Sequence, residues 1–174
     1  SPDASRQRVT YRMFDTNSGY KTGCIYAAFL LKVSEASSTA RDFFSFEGNT
    51  GTTQRGRLFV KSVGSGYQLG VSRTSTSPVC SRTLELGKTY FVVLKYELVP
   101  DALNDVVSLY VDFPLGYAET SSAVRSKIVE SNDFDSGYAD PSQLKAVSFK
   151  QRENGSVVQM SHLRVATTWD EAVN

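Results

Sequence analysis

Apolar and polar residues alternate with period two along much of this chain, the pattern of strands with one face turned to a core. In residues 90–98 one face carries Tyr90, Val92, Leu94, Tyr96 and Leu98, and the other carries Phe91 and Val93, then Lys95 and Glu97. This strand is predicted to be buried on both faces at its start and half-wet at its end. In residues 105–113 one face carries Val107, Leu109, Val111 and Phe113, and the other Val106, Ser108, Tyr110 and Asp112. The second side is expected to meet solvent or a ligand. Residues 24–33 form a longer apolar run that suits a central strand.

Further strands are predicted at 8–14, 42–47, 57–62, 67–73, 83–86, 144–152 and 157–166, a recurrence typical of sandwiches and barrels. Turn signals separate them: Asn17-Ser18-Gly19, Gly48-Asn49-Thr50-Gly51, Gly64-Ser65-Gly66 and Asn154-Gly155. Residues 35–41 read as a loop or single helical turn. Residues 115–141 are the least regular stretch, a long connection of the kind that forms a binding loop or covers a sheet edge. Thr168 followed by Glu171 makes a capping box for a short final helix, with Trp169 and Val173 expected on the sandwich edge.

Composition agrees with strands. Hydrophobic residues make up 40% of the 174 and aromatics 11%, with ten Phe and nine Tyr against one Trp. The length fits one domain, residues 1–174, with a core over about 7–173. Nineteen Lys and Arg balance eighteen Asp and Glu, so no basic excess points to nucleic acid. No apolar run is long enough for membrane insertion. The chain begins Ser1-Pro2-Asp3 without Met, which fits a mature exported protein, so an extracytoplasmic setting (periplasmic, cell-surface or secreted) is expected. Cys24 and Cys80 could form a disulfide there, or remain buried thiols.

Three stretches resemble the concanavalin A-like lectin/glucanase superfamily, particularly laminin-G-like modules of exported Bacteroidetes-type proteins. They are Gly56-Arg57-Leu58-Phe59-Val60-Lys61 with Leu69-Gly70-Val71-Ser72; residues 90–96 running through Asn104-Asp105 to Leu109-Tyr110-Val111 and Pro114; and Leu163-Arg164-Val165 with Thr168-Trp169. The resemblance implies an all-β, antiparallel two-sheet jelly-roll sandwich and frequent carbohydrate binding. Where such modules often carry an acid before the Leu-Arg-Val strand, this chain has Ser161-His162.

Catalytic patterns are scarce. Glycoside hydrolysis usually needs paired carboxylates, and the Glu-x-Asp-x-x-Glu of the superfamily's glucanases is missing; Glu130, Asp133 and Asp135 come nearest. His162 is the single His, without an obvious partner, and there is no Gly-x-Ser-x-Gly elbow. Calcium, which needs only oxygen ligands, suits Asp133, Asp135 and Asp140, so the cofactor expectation is none or a structural calcium ion. Sugar stacking could use Tyr67, Tyr96, Tyr110, Tyr117 and Tyr138, with Arg57, Arg73, Lys95 and Asp112 as polar partners. The leading expectation is a monomeric, non-catalytic carbohydrate-binding module with a glycan partner. A structural or adhesive module binding a surface protein is the alternative, and a glycan-active enzyme lacking known motifs the second.

Overall fold

A computed structural model describes residues 7–14, 18–48, 53–125, 128–133, 139–152 and 155–174. The strands are β1 (Gln7–Met13), β2 (Gly23–Glu35), β3 (Arg41–Glu47), β4 (Gln54–Val63), β5 (Gly66–Ser72), β6 (Val79–Cys80), β7 (Thr89–Leu98), β8 (Val106–Val111), β9 (Ile128–Ser131), β10 (Ala146–Arg152) and β11 (Val157–Ala166). Two short helices, α1 (Ser122–Arg125) and α2 (Trp169–Val173), complete the described elements. A six-stranded sheet runs β1-β10-β3-β4-β5-β6 and a five-stranded sheet β11-β2-β7-β8-β9. All pairings are antiparallel, which makes the predicted two-sheet jelly roll.

The main core lies between the sheets. Ile25, Phe29, Leu31, Tyr96 and Leu109 from one sheet meet Phe44, Phe46, Leu58, Leu69 and Val147 from the other. The alternation of β7 is as predicted: Tyr90, Val92, Leu94, Tyr96 and Leu98 face this core. Phe91 and Val93 face a second cluster on the outer side of the five-stranded sheet. Tyr26, Ala28, Tyr110, Phe113, Val124 and Trp169 belong to that cluster. Trp169 and Val173 therefore sit on a sheet face rather than the sandwich edge. The cap of α2 is the predicted one, with Glu171 N donating to Thr168 Oγ1 at 3.3 Å and Thr168 Oγ1 donating to Glu171 Oε2 at 3.0 Å.

Three sequence expectations differ from the structure. Residues 83–86 make no named strand; Leu84 forms an isolated bridge with Tyr67, and β6 is the edge strand instead. The 115–141 connection contains α1 and β9, the latter paired with β8. Phe113 leaves the face of Val111 because Asp112 adopts φ 55°, which turns the chain so that Phe113 joins the outer cluster. The proposed turn residues Asn17, Asn49 to Gly51 and Asn154 lie outside the described residues. At the other predicted turn, Gly64 has φ 56° between β4 and β5.

Gly56 sits where β4 crosses the core with φ 54°. A Cβ there would lie 2.8 Å from the Tyr96 ring and 3.1 Å from the Phe46 ring. Gly56→Ala combines left-handed strain with overpacking, so it should lower unfolding free energy by roughly 2–4 kcal/mol. A urea midpoint unchanged from wild type would refute this role for Gly56.

Candidate functional site

The outer face of the six-stranded sheet is polar where the five-stranded sheet's outer face is greasy. Register decides which side chains share it. Ser148 pairs with Tyr11 on one side and Ser45 on the other, and both neighbours of Ser148 in β10, Val147 and Phe149, point to the core. Ser45, Ser148 and Tyr11 therefore face outward. Asp42, paired with Phe59, and Glu47, paired with Gln54, extend the same face along β3. The bulges of the β3–β4 pair, with Gly56 between Arg55 and Arg57, let Gln54 and Arg57 join that face although they are three residues apart.

These side chains are tied together. Ser148 Oγ donates to Glu47 Oε1 at 2.5 Å and lies 2.8 Å from Ser45 Oγ; Ser45 Oγ donates to the same Glu47 oxygen at 3.3 Å. Lys150 Nζ reaches both Asp42 and Gln54. Arg57 pairs with Asp42 at 3.2 Å and lies 4.9 Å over the Phe59 ring. Two polar atoms in this group have no partner although buried, Glu47 Oε2 and Arg57 Nε. Such atoms cost free energy unless something else meets them.

The two carboxyls titrate apart. Burial raises the Glu47 carboxyl above its ordinary value, and the Ser148 and Ser45 hydrogen bonds only partly oppose this. Burial alone would also raise Asp42, but the neighbouring Arg57 and Lys150 charges outweigh it and hold Asp42 below the ordinary value. The surroundings push one carboxyl up and hold the other down, the kind of separation that acid–base catalysis uses. Sequence patterning missed Asp42, Ser45, Glu47, Gln54, Ser148 and Lys150. The available signal was the insertion of Asp42, Ser45 and Glu47 among Phe43, Phe44 and Phe46.

The tyrosines proposed for stacking are differently placed. Tyr67, Tyr96 and Tyr110 are fully buried. Tyr67 packs edge-on to Tyr90, Tyr96 donates to Asp105 Oδ2 at 2.9 Å, and Tyr110 is bonded to Glu119 beneath Trp169. Tyr117 is exposed, and its carbonyl accepts from Trp169 Nε1 at 3.0 Å. Tyr138 lies outside the described residues. Among the polar partners, Arg57 belongs to the outer-face group. Lys95 instead pairs with Glu119 at 3.0 Å and Glu97 at 3.2 Å on the five-stranded sheet, and Asp112 pairs with Arg82. The predicted residues are thus divided among a core, two sheet faces and a loop, and do not form one site.

The calcium expectation meets a guanidinium. Arg73 is fully buried, donating from Nη1 to Asp140 Oδ1 at 2.6 Å and from Nε to the Asp133 carbonyl at 2.9 Å. The Asp133 carboxylate accepts from Ser72 Oγ at 2.9 Å, Arg73 N at 3.1 Å and Ser75 N at 3.2 Å, and Asp140 Oδ2 accepts from Asn104 N at 2.8 Å. The Asp140 carboxylate is committed to the arginine and a backbone donor, the Asp133 carboxylate to hydroxyl and backbone donors, and Asp135 lies outside the described residues. Among the described residues no group of three His, Cys, Asp or Glu is placed to hold a metal. Cys24 and Cys80 are free thiols: Cys24 packs on the outer cluster of the five-stranded sheet and Cys80 lies on β6 of the other sheet, with the core between. His162 has φ 56° at the register shift between Ser161 and Arg164, so it does not continue the strand face of Met160. No helix among the described residues is long and apolar enough to cross a membrane.

No family model and no curated protein matches the chain. Solved structures do match its fold. An alginate lyase from Pseudomonas aeruginosa shares it with a TM-score of 0.56 and 12% identity, over 86% of this chain and 68% of the lyase. A heptameric SAP-like pentraxin from Limulus polyphemus aligns with a TM-score of 0.49 and 14% identity over 100% of this chain and 80% of its own. An alginate lyase from an Alteromonas species aligns with a TM-score of 0.49 and 10% identity over 84% of this chain and 72% of its own. The fold is the concanavalin A-like sandwich. The expectation that the chain is not an enzyme is corrected on this ground. It rested on the missing glucanase and hydrolase motifs, and a lyase with this fold shows that motifs of another reaction class exclude nothing.

Two measurements check the electrostatics. Arg73→Met leaves the largely buried Asp140 carboxylate without its counter-charge and the Asp133 carbonyl without its donor, and should cost about 3–5 kcal/mol in unfolding free energy; a loss below about 1 kcal/mol, within the range of a surface ion pair, would refute the clamp. Glu47→Gln removes a carboxyl whose pKa rises on folding. Wild-type Glu47 favours the folded state most below the ordinary Glu value of about 4.3 and loses that contribution as pH climbs through the raised folded value. The stability of Glu47→Gln relative to wild type should therefore increase from pH 4 to pH 8. A flat difference in urea titrations across that range would contradict the raised value.

Proposed function

We propose that the protein is a glycan-active enzyme whose site is the outer face of β3, β4 and β10. The observation that carries this reading is the carboxyl pair Asp42 and Glu47, Asp42 held below its ordinary value by Arg57 and Lys150 and Glu47 pushed above its own by burial, against the opposing Ser148 and Ser45 hydroxyl donors. Breaking a glycosidic bond, by hydrolysis or by elimination, needs a proton delivered to the leaving oxygen. Glu47, with Oε2 unpartnered, supplies that proton. Arg57 and Lys150 keep Asp42 ionised and present cationic donors to hydroxyls or carboxylates of the sugar. The fold shared with an alginate lyase supports a polysaccharide as substrate.

The test is incubation with a panel of neutral and uronate-containing polysaccharides, alginate included, scored for new reducing ends and for unsaturated sugar absorbance. Wild type should release ends from at least one polymer, and Glu47→Gln should lower the rate about 10²-fold or more, the usual contribution of a positioned proton donor. Failure with every polymer, or full activity in Glu47→Gln, would overturn the proposal.

A further inference from the structure

A second feature adjoins that face, at the edge where β1 and β10 of one sheet approach β11 of the other, and Asp42 and Lys150 border both. A cleft of about 820 Å³ opens there, within the size of small-molecule sites. Its apolar wall is Phe43, Val60, Phe149, Val158 and Met160. Phe43 and Val60 are buried, but Phe149, Val158 and Met160 are only partly covered and pack against the main core. The sandwich is thus left open along this edge, with core side chains forming a floor.

The residues of β1 that face this opening are polar. Thr10 pairs with Phe149 and Arg8 with Gln151, so both lie on the inward side of the sheet, and both are exposed. Arg41, cross-strand from core residue Val60, stands at the same opening. Neither Arg8 nor Arg41 belongs to an ion pair among the described residues. Glu35 is the acid on the opposite rim, and Asp42 is already held by Arg57 and Lys150. Inward-pointing charges on an edge strand also guard against edge-to-edge pairing. A guard of that kind requires charge at the edge, but it does not account for a cleft floored by three half-covered core side chains.

We infer that this cleft binds an amphipathic anion, an apolar tail carrying one anionic head. The tail lies against Phe149, Val158 and Met160, and the head is paired by Arg8 and Arg41. Burying a tail on that floor removes apolar surface from water, and two uncommitted guanidinium groups provide charge-assisted donors for a carboxylate or sulfonate. The cleft borders the proposed glycan site at Asp42 and Lys150, but the inference does not rest on the glycan reading.

The probe is 8-anilinonaphthalene-1-sulfonate, titrated against the folded full chain, with decanoate and decanol as competitors. Saturable single-site fluorescence, displacement by decanoate and much weaker displacement by decanol are expected. The double substitution Arg8→Ala with Arg41→Ala, at exposed positions, should weaken binding about tenfold or more, equivalent to about 1.4 kcal/mol. Val158→Trp, which fills the floor, should abolish it, and far-ultraviolet circular dichroism checks that both variants are folded. The inference is overturned by non-saturable fluorescence, by equal displacement by decanoate and decanol, or by unchanged affinity in the folded double variant. If Val158→Trp does not fold, the arginine double variant decides alone.

Discussion

The five-stranded sheet carries a second apolar cluster over the centre of its outer face, and this constraint sets much of what surrounds it. Its inner face meets the other sheet, and its outer face is sealed by Trp169, Phe113, Val124 and Ala172. Sealing costs polar groups their water, and the structure compensates for it locally. Glu119 accepts from Tyr26 at 2.8 Å and from Lys95 at 3.0 Å, and also from Tyr110. Burial pushes the Glu119 carboxyl up, but these donors outweigh it and leave it below its ordinary value. The carboxylate is thereby kept ionised under an aromatic lid, and the Tyr26 and Tyr110 hydroxyls are pushed upward, chiefly by burial. The centre of that face is a structural layer, whereas the outer face of the six-stranded sheet is polar along β3, β4 and β10.

The six-stranded sheet solves a different problem. Its outer face carries charge that is nearly desolvated, so each group must be matched or left poised. Asp42 is matched twice, by Arg57 and Lys150. Glu47 is matched on one oxygen only. The asymmetry comes from β3 itself, where bulges and hydroxyl neighbours give two carboxyls five positions apart unlike surroundings. The kink at Gly56 allows Gln54 and Arg57 to reach across the same face while Leu58 and Val60 remain in the core. A rigid sheet holds these groups in place better than loops would.

Much of the scaffold was legible in the chain. The faces of β7, the span of β11, the Gly64 turn and the Thr168–Glu171 cap follow from local rules, since each depends on residues adjacent in sequence or two to four apart. The site was not legible. Tyr67 and Tyr96 follow the apolar faces of their strands into the core, but Tyr110 shares a face with Ser108 and Asp112, and nothing in its strand states that Trp169 lies over it. Asp133 and Asp140 have the composition of a cation loop until Arg73, more than 50 residues away, is placed between them. Phe113 follows the period of its strand until one positive φ at Asp112 reverses it.

The sequence by itself determined that the chain forms antiparallel strands with particular inward faces, because period-two burial and turn chemistry act over a few residues. Only the tertiary structure decided which sheet face carries the second apolar cluster, which carboxyl is pushed above its ordinary value and which aspartates meet the buried arginine. Those outcomes depend on burial and charge supplied by strands distant in the chain, and the dielectric surroundings of a side chain exist only once the sheets have packed.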